Sequence, residues 1–192
     1  MSARWAYPRL AAWVLTTALT VGACGTSVAV PTPVGDAPVS EQVLRRLLTI
    51  DDLKASGADT SGLEVRVEDF RALGEAVDAD QVRGISSWYG LRFERGDGGD
   101  GLTFSVIEYD SAEAAHDRLQ QVETGPAFIA MTPPVGEGSA MAAAREAGTG
   151  PALVFVKARR FIALHTIVGS ATGALVDATQ VEALARLVDD RL

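Results

Sequence analysis

The sequence predicts an α+β fold, with an antiparallel sheet of about five to seven strands and helices packed on one face. Several segments alternate apolar and polar residues with the period of two that is typical of half-buried strands. Two pairs of apolar segments are each joined by a short turn and followed by a segment with helical spacing. This order suggests two ββα units, a similarity of architecture without residue-level identity.

Two short helices and a strand are predicted first. Apolar residues at helical spacing occupy 41–48, and Thr49 with Asp52 three positions later is a capping-box signature for a second helix. Gly57 is suited to end that helix, because glycine readily adopts the left-handed conformation of many helix ends. Alternation over 63–67 then predicts a half-buried strand.

The first ββα unit is predicted from residue 89 onward. Alternating segments at 89–93 and 102–106 flank a glycine- and aspartate-rich turn at 96–101, which predicts a β-hairpin. The residues at 110–113 are typical of a helix start, and the helix they open is predicted to run to about Val122.

The second unit is predicted in the C-terminal third. An apolar strand at 152–156, a basic turn at 157–160 and an apolar strand at 161–168 are followed by a helix that Asp177 and Gln180 cap. Strands that are apolar on both faces belong in the middle of a sheet. The predicted core strands are therefore Leu153–Val156 and Ile162–Ile167.

The segment between the two units is harder to assign. Residues 128–131 fit another strand, which Pro133 and Pro134 would end. The stretch at 136–147 is rich in small residues, and its part 136–144 fits a strand, a helix or a loop.

The N-terminal segment has the organisation of an export signal. Arg4 and Arg9 precede thirteen mostly apolar residues, Leu10 to Gly22, without an acidic residue. As a helix, this segment would span about 20 Å, against about 30 Å of bilayer hydrocarbon, so it is too short for a membrane span.

A cysteine motif follows this signal. Val21, Gly22, Ala23 and Cys24, the last being the single cysteine of the chain, resemble the lipobox of bacterial prolipoproteins. The resemblance implies a diacylglycerol on the Cys24 thiol, cleavage before Cys24, and anchoring by acyl chains such as palmitate at the outer face of the cytoplasmic membrane. Two or more acyl chains anchor a protein stably to a membrane, since each buried methylene contributes ~0.8 kcal/mol. The sequence does not determine the number of acyl chains. An ordinary secretory signal with a chance cysteine, or a cytosolic protein with an apolar N-terminus, are the alternatives.

The predicted organisation is a signal peptide at 1–23, a lipidated cysteine with a proline-rich tether at 24–40, and a single domain at 41–192. The prolines of the tether disfavour helix and favour an extended chain of about 50 Å, whereas a docked arm is the alternative. Removal of 1–23 takes away two arginines and no acid, so the net charge of −8 becomes −10. This charge argues against nucleic acid and against electrostatic binding to anionic lipids. The membrane is therefore a partner through the lipid alone.

The acidic residues offer weak candidate sites. The turn at 94–101 contains three acids, yet glycine and aspartate are equally typical of a solvated hairpin turn, and no metal site is predicted. The adhesion tripeptide at 95–97 is short enough to recur by chance. Asp51 and Asp52 are interpreted as acids that complement a helix dipole rather than as a catalytic pair.

The histidines and one tryptophan are the remaining candidates. His116 lies in the predicted helix of the first unit, and His165 in the last strand is interpreted as a hydrogen-bonded sheet residue rather than a ligand or base. Trp88, the sole tryptophan after cleavage, points outward if Tyr89 faces the core, or is covered by a neighbouring element. No catalytic residue, ligand-binding residue or cofactor is predicted.

The function predicted is that of a membrane-anchored extracytoplasmic lipoprotein, a non-enzymatic module that binds a protein or a small apolar ligand. The chain resembles uncharacterised lipoproteins of high-GC Gram-positive bacteria, in its signal, tether and small acidic domain; only two of its seventeen basic residues are lysines. A cell-envelope hydrolase with a site assembled in the fold is the alternative, and a structural or sensory partner of a membrane complex is a third hypothesis.

Overall fold

An antiparallel sheet forms the centre of the protein. The computed structural model describes residues 34–35, 37–70, 84–96, 99–143, 149–169 and 173–192, all within the unit Pro31–Leu192. The strands in this part of the chain are β1 Leu63–Asp69, β2 Ile85–Arg95, β3 Gly101–Tyr109, β4 Ile129–Ala130, β5 Gly138–Ala142, β6 Thr149–Lys157, β7 Arg160–Gly169 and β8 Gly173–Ala174. The helices are α1 Glu41–Leu47, α2 Ile50–Ala55, α3 Ala112–Glu123 and α4 Ala178–Arg191. The α+β class with an antiparallel sheet is confirmed.

The strand order is β1-β2-β3-β7-β6-β5-β4, and β8 pairs with β7 outside this path. Every described pair is antiparallel. β7 lies at the centre of the sheet and β6 beside it, as their apolar sequences predict. β6 is buried from Gly150 to Val156 without alternation, because both of its faces are covered.

Helices cover both faces of the sheet, so the prediction of helices on one face is wrong for α3. The first face packs against α1, α2 and α4; its buried strand residues include Leu91, Phe93, Leu102, Phe104, Leu153, Phe155, Ile162 and Leu164. The second face packs against α3; its buried strand residues include Ile85, Ile107, Tyr109, Ala140, Val154, Val156 and Phe161. The apolar residues of this second face must also be shielded from water, so helices pack on both faces of the sheet.

The two ββα units are present in their predicted order, β2-β3-α3 and β6-β7-α4, with β8 inserted before α4. Their helices, however, pack on opposite faces of the sheet. The units therefore differ in three dimensions in spite of the common order of their elements.

Local sequence signals define the helix ends. The side chains of Thr49 and Asp177 each accept a bond from the third residue of their helix, and the partner side chains of Asp52 and Gln180 accept bonds in return. Gly57 follows α2 with a φ of 93°, as expected of a glycine just beyond a helix end.

The segment between the two ββα units contains two short strands. Ile129–Ala130 forms β4 at the predicted place, and Gly138–Ala142 forms β5, which decides part of the stretch at 136–147 in favour of a strand. Residues 144–147 of that stretch lie outside the described residues.

Candidate functional site

The predicted lipid attachment residue, Cys24, lies outside the described residues, together with the signal at 1–23. No helix in the described part of the chain is both long enough and apolar enough to cross a bilayer. The part of the predicted tether that the structure does describe is residues 34, 35 and 37–40, called here the arm.

The arm is packed on the domain. Val34 and Val39 are 8% and 4% exposed, and both belong to the core of the first face. The amide of Val34 donates to the carbonyl of Arg191 at 2.7 Å. The packed part of the chain therefore extends to the N-terminal side of the predicted domain boundary at residue 41. The two valines are buried against the domain, and the arm backbone is hydrogen-bonded to it.

The side chain of Arg160 holds the arm backbone. Its Nη1 donates to the carbonyl of Gly35 at 2.7 Å and its Nη2 to the carbonyl of Ala37 at 2.6 Å. A planar guanidinium suits such a double contact, since its donors are fixed in one fork. Arg160 stands at the first position of β7 and is 6% exposed, so this contact is part of the interior.

Glu108 supplies the negative charge that this buried arginine requires. Its Oε1 lies 3.7 Å from Nε of Arg160 and 3.0 Å from Nη2 of Arg159. Its Oε2 accepts bonds from the amide of Val39 and the hydroxyl of Ser87, both at 3.2 Å. A charge buried to this degree is tolerated only when it is paired and hydrogen-bonded. Glu108 and Arg160 together form the arm clasp.

Sequence reasoning missed the arm clasp. Its one local signal is a carboxylate between two apolar residues, Ile107 and Tyr109, at the end of an apolar strand. The basic turn at 157–160 was predicted, but its partners lie 123 and 125 residues away in the arm.

The two histidines lie apart from any serine partner in the described residues. In α3, Nδ1 of His116 lies 2.9 Å from the carbonyl of Ala112, and Nε2 lies 3.4 Å from a carboxylate oxygen of Glu137. His165 is an exposed residue of β7, opposite Thr103 of β3 and Ala152 of β6 in the register. Its backbone is in the sheet as interpreted, but its side chain has no hydrogen bond among the described residues.

The acids around the β2–β3 turn are committed to arginines. Asp100 is 2% exposed and accepts from Nη1 of Arg95 at 2.8 Å, while Glu94 lies 3.2 Å from Nη1 of Arg66 and 3.5 Å from Nε of Arg92. Asp97 lies outside the described residues. Nowhere in the described ranges do three His, Cys, Asp or Glu side chains gather closely enough to hold a metal.

The arginine of the adhesion tripeptide is used inside the domain. Arg95 donates from Nε to the carbonyl of Ser61 at 2.9 Å and also donates to the carbonyl of Asp59. With the contact to Asp100, this guanidinium ties β2 to the segment before β1. The Arg95 side chain therefore stabilises the fold.

Asp51 and Asp52 differ although they are neighbours. Asp51 is exposed in the first turn of α2, as interpreted. Asp52 instead meets Arg191 in a two-point contact, with Nη1 to Oδ2 at 2.6 Å and Nη2 to Oδ1 at 2.8 Å. Burial raises the pKa of Asp52, but the hydrogen bonds from Arg191 and Thr49 outweigh it, so the pKa lies below its ordinary value.

Trp88 is partly covered and faces the side of the sheet opposite Tyr89. It packs against the core of the second face, whereas Tyr89 packs against that of the first. The Phe70 ring covers it, with ring centroids 4.9 Å apart. Its Nε1 is buried without a hydrogen-bond partner in the described part of the protein. Trp88 therefore fits the alternative of a covered tryptophan.

One depression of about 320 Å³ lies on the outer side of α3. It is lined by Asp117, Gln120, Gln121 and Thr124, which are all polar residues. Ligand pockets are mostly apolar concavities with a few polar groups, so this surface does not suit a small apolar ligand.

Comparison with known proteins gives little. No family model matches the chain, and no curated protein matches it. Among solved structures, the chain is similar to the crystal structure of the extracellular domain of PknH from Mycobacterium tuberculosis. The identity is 16% and the TM-score 0.48, and the match covers 81% of this chain and 97% of that chain.

Proposed function

We propose that this protein is a lipid-anchored extracytoplasmic module, held to the outer face of a bacterial cytoplasmic membrane through Cys24, that binds a protein partner with its surface. The carrying observation is the run Val21-Gly22-Ala23-Cys24 behind a short apolar segment with two preceding arginines.

The mature chain carries an acidic net charge, so its attachment to a membrane depends on the acyl chains.

The described core favours surface binding over an enclosed apolar ligand. Large side chains with less than 2% exposure fill the first face of the described sheet, among them Phe93, Phe104, Phe155 and Leu164. The depression on α3 is lined by four polar residues. On the surface, Ile129 of the edge strand β4 is 72% exposed.

The hydrolase alternative needs a histidine that meets a serine and an acid. In the described residues, His116 meets Glu137 and a backbone carbonyl, and His165 meets neither a serine nor an acid. The non-enzymatic hypothesis is therefore preferred.

The anchor is tested by expressing the full chain in a high-GC Gram-positive host and measuring the intact mass of the membrane fraction. We expect a chain that begins at Cys24 and carries a thioether-linked diacylglycerol, and that enters the detergent phase on phase separation. Cys24→Ser should leave the mass without lipid and move the protein to the aqueous phase.

Ser27→Ala is the matched control, because it lies three residues beyond Cys24 and outside the lipobox. It should be lipidated like the unmodified chain. A free Cys24 thiol, or a product that retains Met1, would contradict the anchor.

Surface binding is tested by native mass spectrometry of the processed protein. We expect the mass of the lipidated chain, or of its complex with a protein, without a retained small molecule. A retained small apolar molecule, lost on unfolding, would favour ligand carriage instead.

A further inference from the structure

The arm joins the domain at one end of the sheet. Arg160 and Glu108 stand at the ends of β7 and β3 that meet at the β6–β7 turn, and the amide of Tyr109 donates to the carbonyl of Arg159 there. Val34 is bonded to Arg191, the last residue of α4, at the same end. This region, defined by the turn at 157–160 and by Arg191, is called the near end.

The opposite end of the sheet carries the β2–β3 turn. Gly96 follows β2, and Gly62 precedes β1, whose first residue Leu63 pairs with Arg95. β3 runs from Gly101 beside this turn to Tyr109 at the near end. Eight steps of ~3.3 Å place the two ends about 26 Å apart. Gly62 and Gly96 define the far end.

The arm clasp limits how far the near end can move from Cys24. Nine residues separate Cys24 from Val34, so ten steps of at most ~3.6 Å give a reach of at most about 36 Å. A chain free up to Glu41 would have seventeen steps and a reach of at most about 61 Å. Docking of the arm therefore shortens the maximal reach by about 25 Å.

The arm is docked by buried contacts rather than by surface contacts. Arg160 binds two arm carbonyls, Glu108 binds the Val39 amide, and the side chains of Val34 and Val39 are in the core. Separate contacts at four arm positions hold this short segment, and breaking the buried ion pair would leave a charge without its partner. The attachment point is therefore fixed on the domain.

We propose that the near end faces the lipid bilayer and that the far end points away from it. This inference rests on the proposed anchor at Cys24. The chain that leads to Cys24 leaves the domain at the near end. The β6–β7 turn therefore stays within about 36 Å of Cys24, while the β2–β3 turn lies about 26 Å further along the sheet and is presented to the outside.

The orientation is tested with the processed lipoprotein in nanodiscs that contain a gadolinium-chelating lipid, by paramagnetic broadening of backbone amide signals. We expect the signals of Ala158 and Arg159 to be strongly weakened and those of Gly62 and Leu63 to be retained. Equal weakening at both ends, or stronger weakening at Gly62, would overturn the proposal.

Two variants test the role of the arm clasp. Arg160→Lys keeps the positive charge beside Glu108 but lacks the planar fork that reaches both arm carbonyls. The weakening of amide signals should therefore differ less between the near end and the far end. Arg186→Lys is the control, because Arg186 contacts Glu182 and the carbonyls of Pro133 and Pro134 instead of the arm. If Arg160→Lys does not fold, a ten-residue Gly-Ser segment is inserted after Ser27, which lengthens the reach without changing the domain. This insertion should likewise reduce the difference in signal weakening between the two ends.

Failure of the anchor and failure of the orientation give different results. The chain 24–192 contains all described contacts and can be coupled through its single thiol, Cys24, to a maleimide lipid. An unlipidated protein from cells contradicts the proposed function, while the coupled chain still reports the orientation. A coupled chain without contrast between the ends overturns the orientation alone.

Discussion

Arg191 and Asp52 join the last turn of α4 to the first turn of α2 through two parallel hydrogen bonds of 2.6 and 2.8 Å. Nη1 of Arg191 also donates to the carbonyl of Leu47 at 2.9 Å, at the end of α1. Both side chains are largely shielded, with 11% and 13% exposure. One guanidinium therefore holds together the three helices that cover the first face of the sheet.

Replacement of Asp52 by Asn should destabilise the domain. The change removes the charge that Arg191 binds, and hydrogen bonds to charged groups contribute about 1.5–3 kcal/mol, so the free energy of unfolding at pH 7 should fall by about 2 kcal/mol. Urea unfolding followed by Trp88 fluorescence measures it. Asp51→Asn, one residue away and exposed, is the control and should cost less than about 1 kcal/mol.

The same pair should give the domain an acid-sensitive component of stability. The pKa of Asp52 is lowered from 3.8 in the folded protein, so its contribution is present well above pH 3.8 and declines as the pH falls towards the folded pKa. Unfolding free energies measured between pH 7 and pH 3 should therefore fall more steeply for the unmodified protein than for Asp52→Asn. Parallel curves would show that the Asp52 carboxylate contributes nothing to the acid response.

Replacement of Glu108 by Gln should weaken the attachment of the arm. The amide keeps an acceptor for Val39 but leaves Arg160 buried without a counter-ion, which should cost about 2–4 kcal/mol. Hydrogen exchange at the amide of Val39 should become faster than in the control Glu113→Gln, whose carboxylate is exposed. Unchanged exchange at Val39 would mean that the clasp does not hold the arm.

Replacement of Gly90 by Ala should disturb the cover of Trp88. A Cβ at this position would lie 2.6 Å from Cε2 of Phe70, so the ring must move, at a cost of about 1–3 kcal/mol. Trp88 emission in the processed chain should shift to longer wavelength as water reaches the indole. The double variant with Phe70→Ala should cost less than the sum of the single changes, because the clash is then absent.

Replacement of Asp177 by Ala removes the N-cap of α4. The amide of Gln180 loses an acceptor at 2.8 Å, and the loss should cost about 1 kcal/mol. Thermal unfolding by circular dichroism measures the change, with Asp190→Ala, at an exposed position near the other end of the helix, as the control. Equal effects of the two changes would show that the cap contributes nothing specific.

Elements defined by neighbouring residues were predictable. The caps at Thr49 and Asp177 depend on residues three positions apart, and the β2–β3 hairpin follows from alternation on both sides of a turn. β5 was not predictable, since its sequence Gly-Ser-Ala-Met-Ala has no clear alternation and only one large apolar residue, Met141.

Contacts between distant residues were not predictable from local patterns. Asp52 has the sequence signature of a helix-dipole acid, and its partner Arg191 lies 139 residues away. The arm clasp unites the end of β3, the start of β7 and the arm, so no window of sequence contains its parts. The side on which α3 packs depends likewise on which face the hairpins leave uncovered.

The hydrogen bond between Val34 and Arg191 has a practical consequence for engineering. Because Leu192 follows Arg191, a fluorescent protein fused after it would be placed beside the segment that leads to Cys24. In the proposed orientation such a fusion would be crowded against the cell surface. An epitope tag inserted beside Gly96 would instead extend into the medium, where an antibody could reach it on intact cells.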